Sequence, residues 1–480
     1  MSLLHPVNSS YYSNNLNSEN NDLDLYEREI LNQEYGLCPE CNQPNTLDNW
    51  CKKCYSKKFQ QNFGNWTSGN EHIDKFIQES QLNARNMYEL LEWIPYNRLR
   101  NIKFLAQGGF STVYDAIWLD EAIRKWNYEK QGWKRCTSNL DEQDYKDAIN
   151  TKIKNPLKSD EKYGLRVVLK SLNDSSNVDD ESLNEWKLYL QCQYKVRSSG
   201  SILVPLCGIT RDPNTLNYII VMLKMPFGSL RNNLLVSKYN PNDKFKILGT
   251  ISAQLKAIHK LNLIHGDFHS GNVLGPFYHT MMISDFGLCR PVNQPCIKNQ
   301  IYGVLPYMAP EVLRGKPYTK AADIYSFGII MWEMTSGVPA FHNVPHGLNL
   351  SLNICKGKRP KIVEGTMSEY VELMKRCWDN DPEIRPTAKE LHEILSKWFI
   401  KYPIETNEEK RIAVPENEPE IKNHPKSCYI SRKFDSAKFN EILAKDELSN
   451  RVIIMDNDNY NDEIFISDNL DECLIKDNHT

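Results

Sequence analysis

No stretch of about 18 apolar residues occurs in this 480-residue chain, and the initial Met-Ser-Leu-Leu-His-Pro runs into Asn- and Ser-rich sequence, not an apolar leader core. Neither a membrane span nor a secretion signal is expected, which points to an intracellular, cytoplasmic setting with the nucleus left open. An excess of one charge is also lacking. Lys and Arg number 58 against 61 Asp and Glu, a net charge of −3, which argues against nucleic acid as the main partner. The 13 cysteines are an odd number, and all but four are scattered, unlike the framework of a disulfide-stapled secreted domain. No internal repeat is visible. What remains is a chain of mixed charge, 40 % hydrophobic, able to fill one large core.

Against that even background one stretch stands apart: Ile264-His265-Gly266-Asp267-Phe268-His269-Ser270-Gly271-Asn272, followed by Asp285-Phe286-Gly287. Phosphoryl transfer to a hydroxyl needs a carboxylate that can take the hydroxyl proton and hard oxygen donors that can hold Mg²⁺. Asp267 suits the first task, Asn272 and Asp285 the second. Upstream, Ile102 to Tyr114 reads as strand, small-residue turn, strand; Gly108 and Gly109 would let backbone N–H groups approach phosphates. Val167-Val168-Leu169-Lys170 is a β-rich run ending in a lysine, and Glu185 lies in helical-looking sequence. A strand lysine held by a helix glutamate positions nucleotide phosphates. Downstream stand Ala309-Pro310-Glu311, Asp323, Cys377-Trp378 and Arg385-Pro386.

In this order, over about residues 97–400, these motifs resemble the eukaryotic protein kinases. Tyr-Met-Ala-Pro-Glu and Cys-Trp…Arg-Pro resemble most their tyrosine-kinase-like group. The resemblance implies an α+β, bilobal fold with a small β-rich lobe and a larger helical lobe, the latter braced by a Glu311–Arg385 pair. It implies protein substrates, ATP and Mg²⁺, with Asp267, Lys170, Glu185, Asn272 and Asp285 as the catalytic set. Met222 would guard the back of the adenine pocket, and Leu223 to Met225 would border the base. Leu105, Gly108, Gly109, Ser111, Val113, Val168 and Leu274 would complete the nucleotide site. Asp323 would brace the backbone of the catalytic loop.

The departures from the family pattern are specific. In the usual Gly-x-Gly-x-x-Gly loop the first and third glycines are here Ala106 and Ser111. Gly266 stands where an arginine is usual. His269 stands where a lysine is usual, so one positive charge on the transferred phosphate is absent or pH-dependent; an exposed loop histidine is the plainer reading of His269. Val304 replaces a threonine that bonds the catalytic aspartate in serine/threonine kinases, which leaves the acceptor open between Ser/Thr and Tyr. Leu288 to Pro310 contains no Ser or Thr, so Tyr302 and Tyr307 are its hydroxyl acceptors, and Tyr307 is expected to be packed. Two other readings use the same residues: a pseudokinase that binds partners without turnover and, from His-Gly-Asp, a small-molecule kinase.

A second constellation, Cys38-Pro39-Glu40-Cys41 and Cys51-Lys52-Lys53-Cys54, places two Cys-x-x-Cys turns within residues 36–56. Four thiolates so arranged suit tetrahedral binding of a structural Zn²⁺. Lys52, Lys53, Lys57 and Lys58 read as charged exposure beside a metal site, not as a nucleic-acid patch. Residues 1–35 are polar and expected to be disordered, apart from a short helix near residues 23–31. Phe76, Ile77, Leu82, Leu90 and Leu91, in near-helical spacing, predict a linker helix over 70–95 packed on the small lobe. An insertion over about 118–163 combines Trp118, Trp126 and Trp133, which suggest a hairpin, with a charged, loop-like run over 136–162. The tail from residue 401 holds 18 Asp and Glu against 10 Lys and Arg after Tyr402. It is expected to be mostly disordered, with 439–448 and 451–455 as candidate docking peptides. The whole layout resembles an expanded family of fungal kinase-like proteins, with signalling partners of the termini and the insertion left open.

Overall fold

A computed structural model describes residues 30, 33–107, 111–136, 138–140, 142–148, 153–172, 178–179, 183–198, 202–277, 279–292, 300–405, 407–418 and 420–448. Gly108, Gly109, all but Ile30 of the helix expected near 23–31, and the tail beyond residue 448 lie outside the described residues. The chain divides into two compact units, Met1–Met225 and Pro226–Thr480.

The first unit is built on β-branched and aromatic runs, which fit a pleated surface better than a helix. Its strands are β1 (Glu92–Trp93), β2 (Leu99–Gln107), β3 (Ser111–Trp118), β4 (Ile123–Asn127), β5 (Gly132–Arg135), β6 (Leu165–Leu172), β7 (Leu206–Arg211) and β8 (Tyr218–Leu223). Six of them form one sheet in the order β1-β7-β8-β6-β3-β2, antiparallel except where β1 runs parallel to β7. Lys170 on β6 faces Val113 on one side and Ile220 on the other. The helix Asn184–Ser198 buries Trp186, Tyr189, Leu190 and Cys192.

The linker helix expected over 70–95 is shorter, Glu71–Asn83. Asn70 caps its start by accepting the His72 and Ile73 amide protons. At the other end Ala84 leaves helical geometry, and the Asn86 side chain takes the Tyr88 amide proton to open a separate short turn. Asparagines offer the backbone such local alternatives, so Leu90 and Leu91 are buried outside the helix and Glu92–Trp93 joins the sheet. The insertion forms the expected hairpin, with Trp126 opposite Trp133 in β4–β5. Its charged remainder is not all loop: Glu142–Ala148 is a helix, with acidic residues in the first turn where the helix dipole favours them and the buried Asp144 paired to Arg166 of β6.

The cysteine segment is not a separate module. Cys38, Trp50, Cys51, Cys54, Tyr55 and Phe59 share a core with Ala84, Leu90 and Ile123, and Trp126 and Trp133 of the insertion hairpin pack against it.

In the second unit the helix Lys320–Ser336 is apolar on nearly every side and accordingly buried. It ends on Gly337 at φ +78°, a left-handed cap. Asp243–Lys260 and Ser368–Cys377 pack against it, and Ala388–Lys401 packs on Asp243–Lys260. Short strands position the loops: β9 (Gly228–Ser229), β10 (Leu263–Ile264), β11 (Val273–Phe277), β12 (Thr280–Ile283), β13 (Arg290–Pro291), β14 (Gln300–Gly303) and, from the tail, β15 (Arg432–Asp435). The tail keeps regular structure well past residue 401. Arg411 pairs with the buried Asp243, Glu418 meets Lys238 at 2.7 Å, and the final helix Ser436–Leu448 follows β15. Its apolar residues are few, but Phe434, Phe439 and Leu443 are all buried, which average composition does not register. No helix among the described residues is long and apolar enough to cross a membrane.

Candidate active site

The loop that carries Asp267 is pinned from below. The carboxylate of Asp323 accepts the His265 and Gly266 amide protons at 2.9 and 3.1 Å and lies 2.8 Å from His259 Nε2. Burial disfavours its charge, but His259 and His265 outweigh that and hold Asp323 below the usual carboxylate value. Gly266 has φ +78°, and a Cβ there would stand 2.8 Å from the Leu288 carbonyl oxygen. The arginine usual at this position therefore has no room in this loop.

Asn272 and Asp285 are held side by side. The Asn272 amide donates to the Asp267 carbonyl at 3.0 Å, while the Asn272 carbonyl accepts from both the amide and the hydroxyl of Ser284. Asp285, next in the chain, takes φ +58°, a conformation that a non-glycine keeps only where its surroundings enforce it.

His269 is not the exposed histidine expected: it is 6 % exposed. Its Nδ1 lies 3.0 Å from an Arg231 amine and its Nε2 3.7 Å from Asp267 Oδ1. Burial pushes the ring below its ordinary value, against the pull of Asp267. Since guanidinium only donates, the neutral ring takes the Arg231 proton on Nδ1 and keeps its own on Nε2, towards Asp267. Sequence reasoning did not single out Arg231, which opens a polar Arg-Asn-Asn run that reads as surface.

Tyr307 is packed as expected. Its hydroxyl donates to Glu333 at 2.6 Å and accepts from Ser270 at 2.8 Å, and burial raises both Tyr307 and Glu333 above their ordinary values. Arg385 grips Glu311 with two bonds of 2.7 and 2.8 Å.

Within the first unit, Lys170 Nζ stands 3.8 Å from Glu185 Oε1. Val168 faces Asp115 and Met222 across the sheet, and Val113 faces Lys170. Ser111, Leu223 and Met225 are buried, whereas Leu105 is 39 % exposed. Leu274 belongs to the second unit, on β11 opposite Met282 and Ser229. The structure thus assembles Lys170 with Glu185 in one unit, and Asp267, Asn272 and Asp285 in the other.

The four sulfurs of Cys38, Cys41, Cys51 and Cys54 lie within 4.8 Å of one another, with Cys38–Cys54 at 3.9 Å and Cys41–Cys51 at 3.6 Å. Thiolates about 2.3 Å from a shared tetrahedral ion stand roughly 3.8 Å apart. Burial raises the Cys51 thiol to about 11. The same effect acts on Cys38, but the amides of Glu40 and Cys41 bring it down to about 7. The cluster could hold a metal ion.

Residues 137–395 match the family model for protein tyrosine and serine/threonine kinases, and the chain belongs to that family. Its sheet unit and helical unit carry the small and large lobes of the kinase fold, and membership implies use of ATP and Mg²⁺. The chain is 31 % identical over 225 residues to serine/threonine-protein kinase STY17 of Arabidopsis thaliana, covering 46 % of this chain and 38 % of that one. STY46 of the same plant is 33 % identical over 238 residues, 49 % of this chain and 40 % of its own; the STY kinases are of the tyrosine-kinase-like group. A probable LIM domain-containing serine/threonine-protein kinase of Dictyostelium discoideum is 35 % identical over 173 residues, 35 % of this chain and 26 % of that one. The chain spans only about a quarter to two-fifths of the length of these relatives.

Proposed function

We propose that this protein is an ATP-dependent protein kinase that transfers the γ-phosphoryl group to a protein hydroxyl. The observation that carries the reading is the pinned loop, in which the Asn272 side chain bonds the backbone carbonyl of Asp267 while Ser284, next to Asp285 in the chain, bonds the Asn272 backbone carbonyl. Asn272 and Asp285 would hold Mg²⁺, whose charge offsets that of the phosphates. Their oxygen donors suit a hard cation. Lys170, oriented by Glu185, would position the α- and β-phosphates. Asp267 would accept the hydroxyl proton and orient its oxygen for in-line attack. His269 and Arg231 act as positioning residues for Asp267. The relatives are named serine/threonine kinases, which supports that acceptor class.

The test is labelled ATP offered with generic protein substrates and, separately, with aminoglycosides and choline. Label on serine or threonine of protein is expected. Label on the small molecules alone would replace the reading with a small-molecule kinase. Neither Mg-ATP binding nor turnover would replace it with a scaffold.

We also infer that the four cysteines hold one structural Zn²⁺, supported by sulfur spacings near the tetrahedral value. Full-length protein purified under reducing conditions without chelator should carry one zinc per chain; none would overturn the inference.

A further inference from the structure

Residues 424–448 follow a continuous track over the second unit, and the track passes the catalytic loop. His424 N–H donates to the His342 carbonyl at 2.7 Å, and His346 N–H to the Lys426 carbonyl at 2.9 Å. The Tyr429 hydroxyl donates to the Ala340 carbonyl at 2.8 Å, and the Tyr429 carbonyl accepts from Arg231 at 3.0 Å. That same Arg231 bonds His269, whose other nitrogen faces Asp267. Next, Arg432 donates to the His346 carbonyl, and β15 pairs antiparallel with β14, from Gly303 opposite Arg432 to Gln300 opposite Asp435. Phe434 and Phe439 are fully buried, and Asn440 bonds the Arg314 carbonyl at 2.8 Å.

An acceptor hydroxyl has to reach Asp267 on an extended segment. One backbone edge suited to such a segment is β14, which leads directly into Val304. Gly303, Val304 and Tyr307 line one small pocket together with Asp267. β-Strand addition at such an edge draws affinity from main-chain bonds and selectivity from side-chain pockets. In this chain the edge is already paired, and the tail is the partner.

Building on the kinase reading, we propose that this track is the groove for the protein acceptor and that residues 428–435 occupy it in its absence. The groove takes an extended peptide with a basic residue in the place of Arg432 and, two residues later, an aromatic in the place of Phe434. A protein acceptor phosphorylates well only when it displaces the tail.

The test compares the full chain with Phe434→Ser and, should that variant misfold, Lys433→Pro, which breaks the strand pair from the tail side; reductant is present throughout. Three readings are taken: hydrogen exchange at residues 301–303, kcat/KM for a protein acceptor, and ATP hydrolysis without acceptor. Release should speed exchange and raise acceptor kcat/KM tenfold or more, mainly through KM, with hydrolysis within twofold. A synthetic peptide of residues 428–448 should bind the released variant in fluorescence anisotropy and compete with the acceptor, not with ATP. The same peptide with Arg432→Glu and Phe434→Ala should do neither. Unchanged acceptor kinetics after release, a loss of them, or competition with ATP would overturn the proposal. If no form of the chain turns over ATP, the kinase reading fails, and peptide binding to the released variant still decides whether the groove exists.

Discussion

Gly266 shows how one residue can settle a question that the family pattern leaves open. With φ +78° and the Leu288 carbonyl 2.8 Å from any Cβ, Gly266→Arg should lose about 1–3 kcal/mol of stability and gain no activity. Thermal unfolding beside a transfer assay checks this, and a stable, more active variant would contradict it. Tyr302 gives a second expectation. Gly266 stands where the family's usual arginine would pair with a phosphate on this loop, so a phosphate on Tyr302 would not meet that arginine. Tyr302→Phe and phosphatase treatment should each leave activity within tenfold, about 1.4 kcal/mol of barrier. His346 supplies a pH dependence. Burial lowers its ring from 6.5 to about 4, with Arg432 and Arg231 acting in the same direction. The ring sits between backbone groups: Nε2 lies 3.1 Å from the Phe341 carbonyl oxygen, and Nδ1 lies 2.9 Å from the Cys428 carbonyl oxygen and 3.1 Å from the Cys428 amide nitrogen. A lowered folded value means that its contribution is complete above about 6.5 and fades as pH falls towards about 4. Hydrogen exchange over 424–435 should therefore be slow at pH 7.5 and accelerate, beyond its intrinsic pH effect, below pH 6. Protection that holds down to pH 4 would contradict the assignment.

Among the elements, the brace between Glu311 and Arg385 was legible in the sequence because its partners sit in recognisable tripeptides. Breaking it should be severe. Arg385→Ala leaves Glu311 buried without its cation, a loss of about 3–5 kcal/mol, to be read from denaturant unfolding; a shift under 1 kcal/mol would show the pair to be dispensable. The candidate catalytic residues were proposed from the sequence for the same reason, since chemistry constrains both type and spacing. What escaped is what depends on distant partners. His269 reads as a loop histidine until Arg231, 38 positions earlier in the chain, is placed beside it. The linker helix stops at Asn83 because asparagine capping competes with an apolar pattern that, on periodicity alone, continues. The part of the tail up to Leu448 looked unstructured because acidic composition is averaged over a long segment, whereas docking needs only Phe434, Phe439 and a short strand edge.

At the scale of the whole molecule, the cysteine segment and the insertion hairpin hold each other. Trp133 stacks on Phe59 at 4.3 Å and meets Tyr55 and Trp126 edge-on, so the metal-binding turns and an insertion nearly eighty positions downstream share one core. The central claim, however, concerns phosphoryl transfer, and it rests on Asp267. Its most direct test is single-turnover transfer to a protein acceptor by wild type and Asp267→Asn, with Mg-ATP affinity measured on both. The account predicts a loss of about a hundredfold or more in transfer, as expected for removal of a proton acceptor, with ATP affinity unchanged within severalfold. Transfer by Asp267→Asn at the wild-type rate would contradict it.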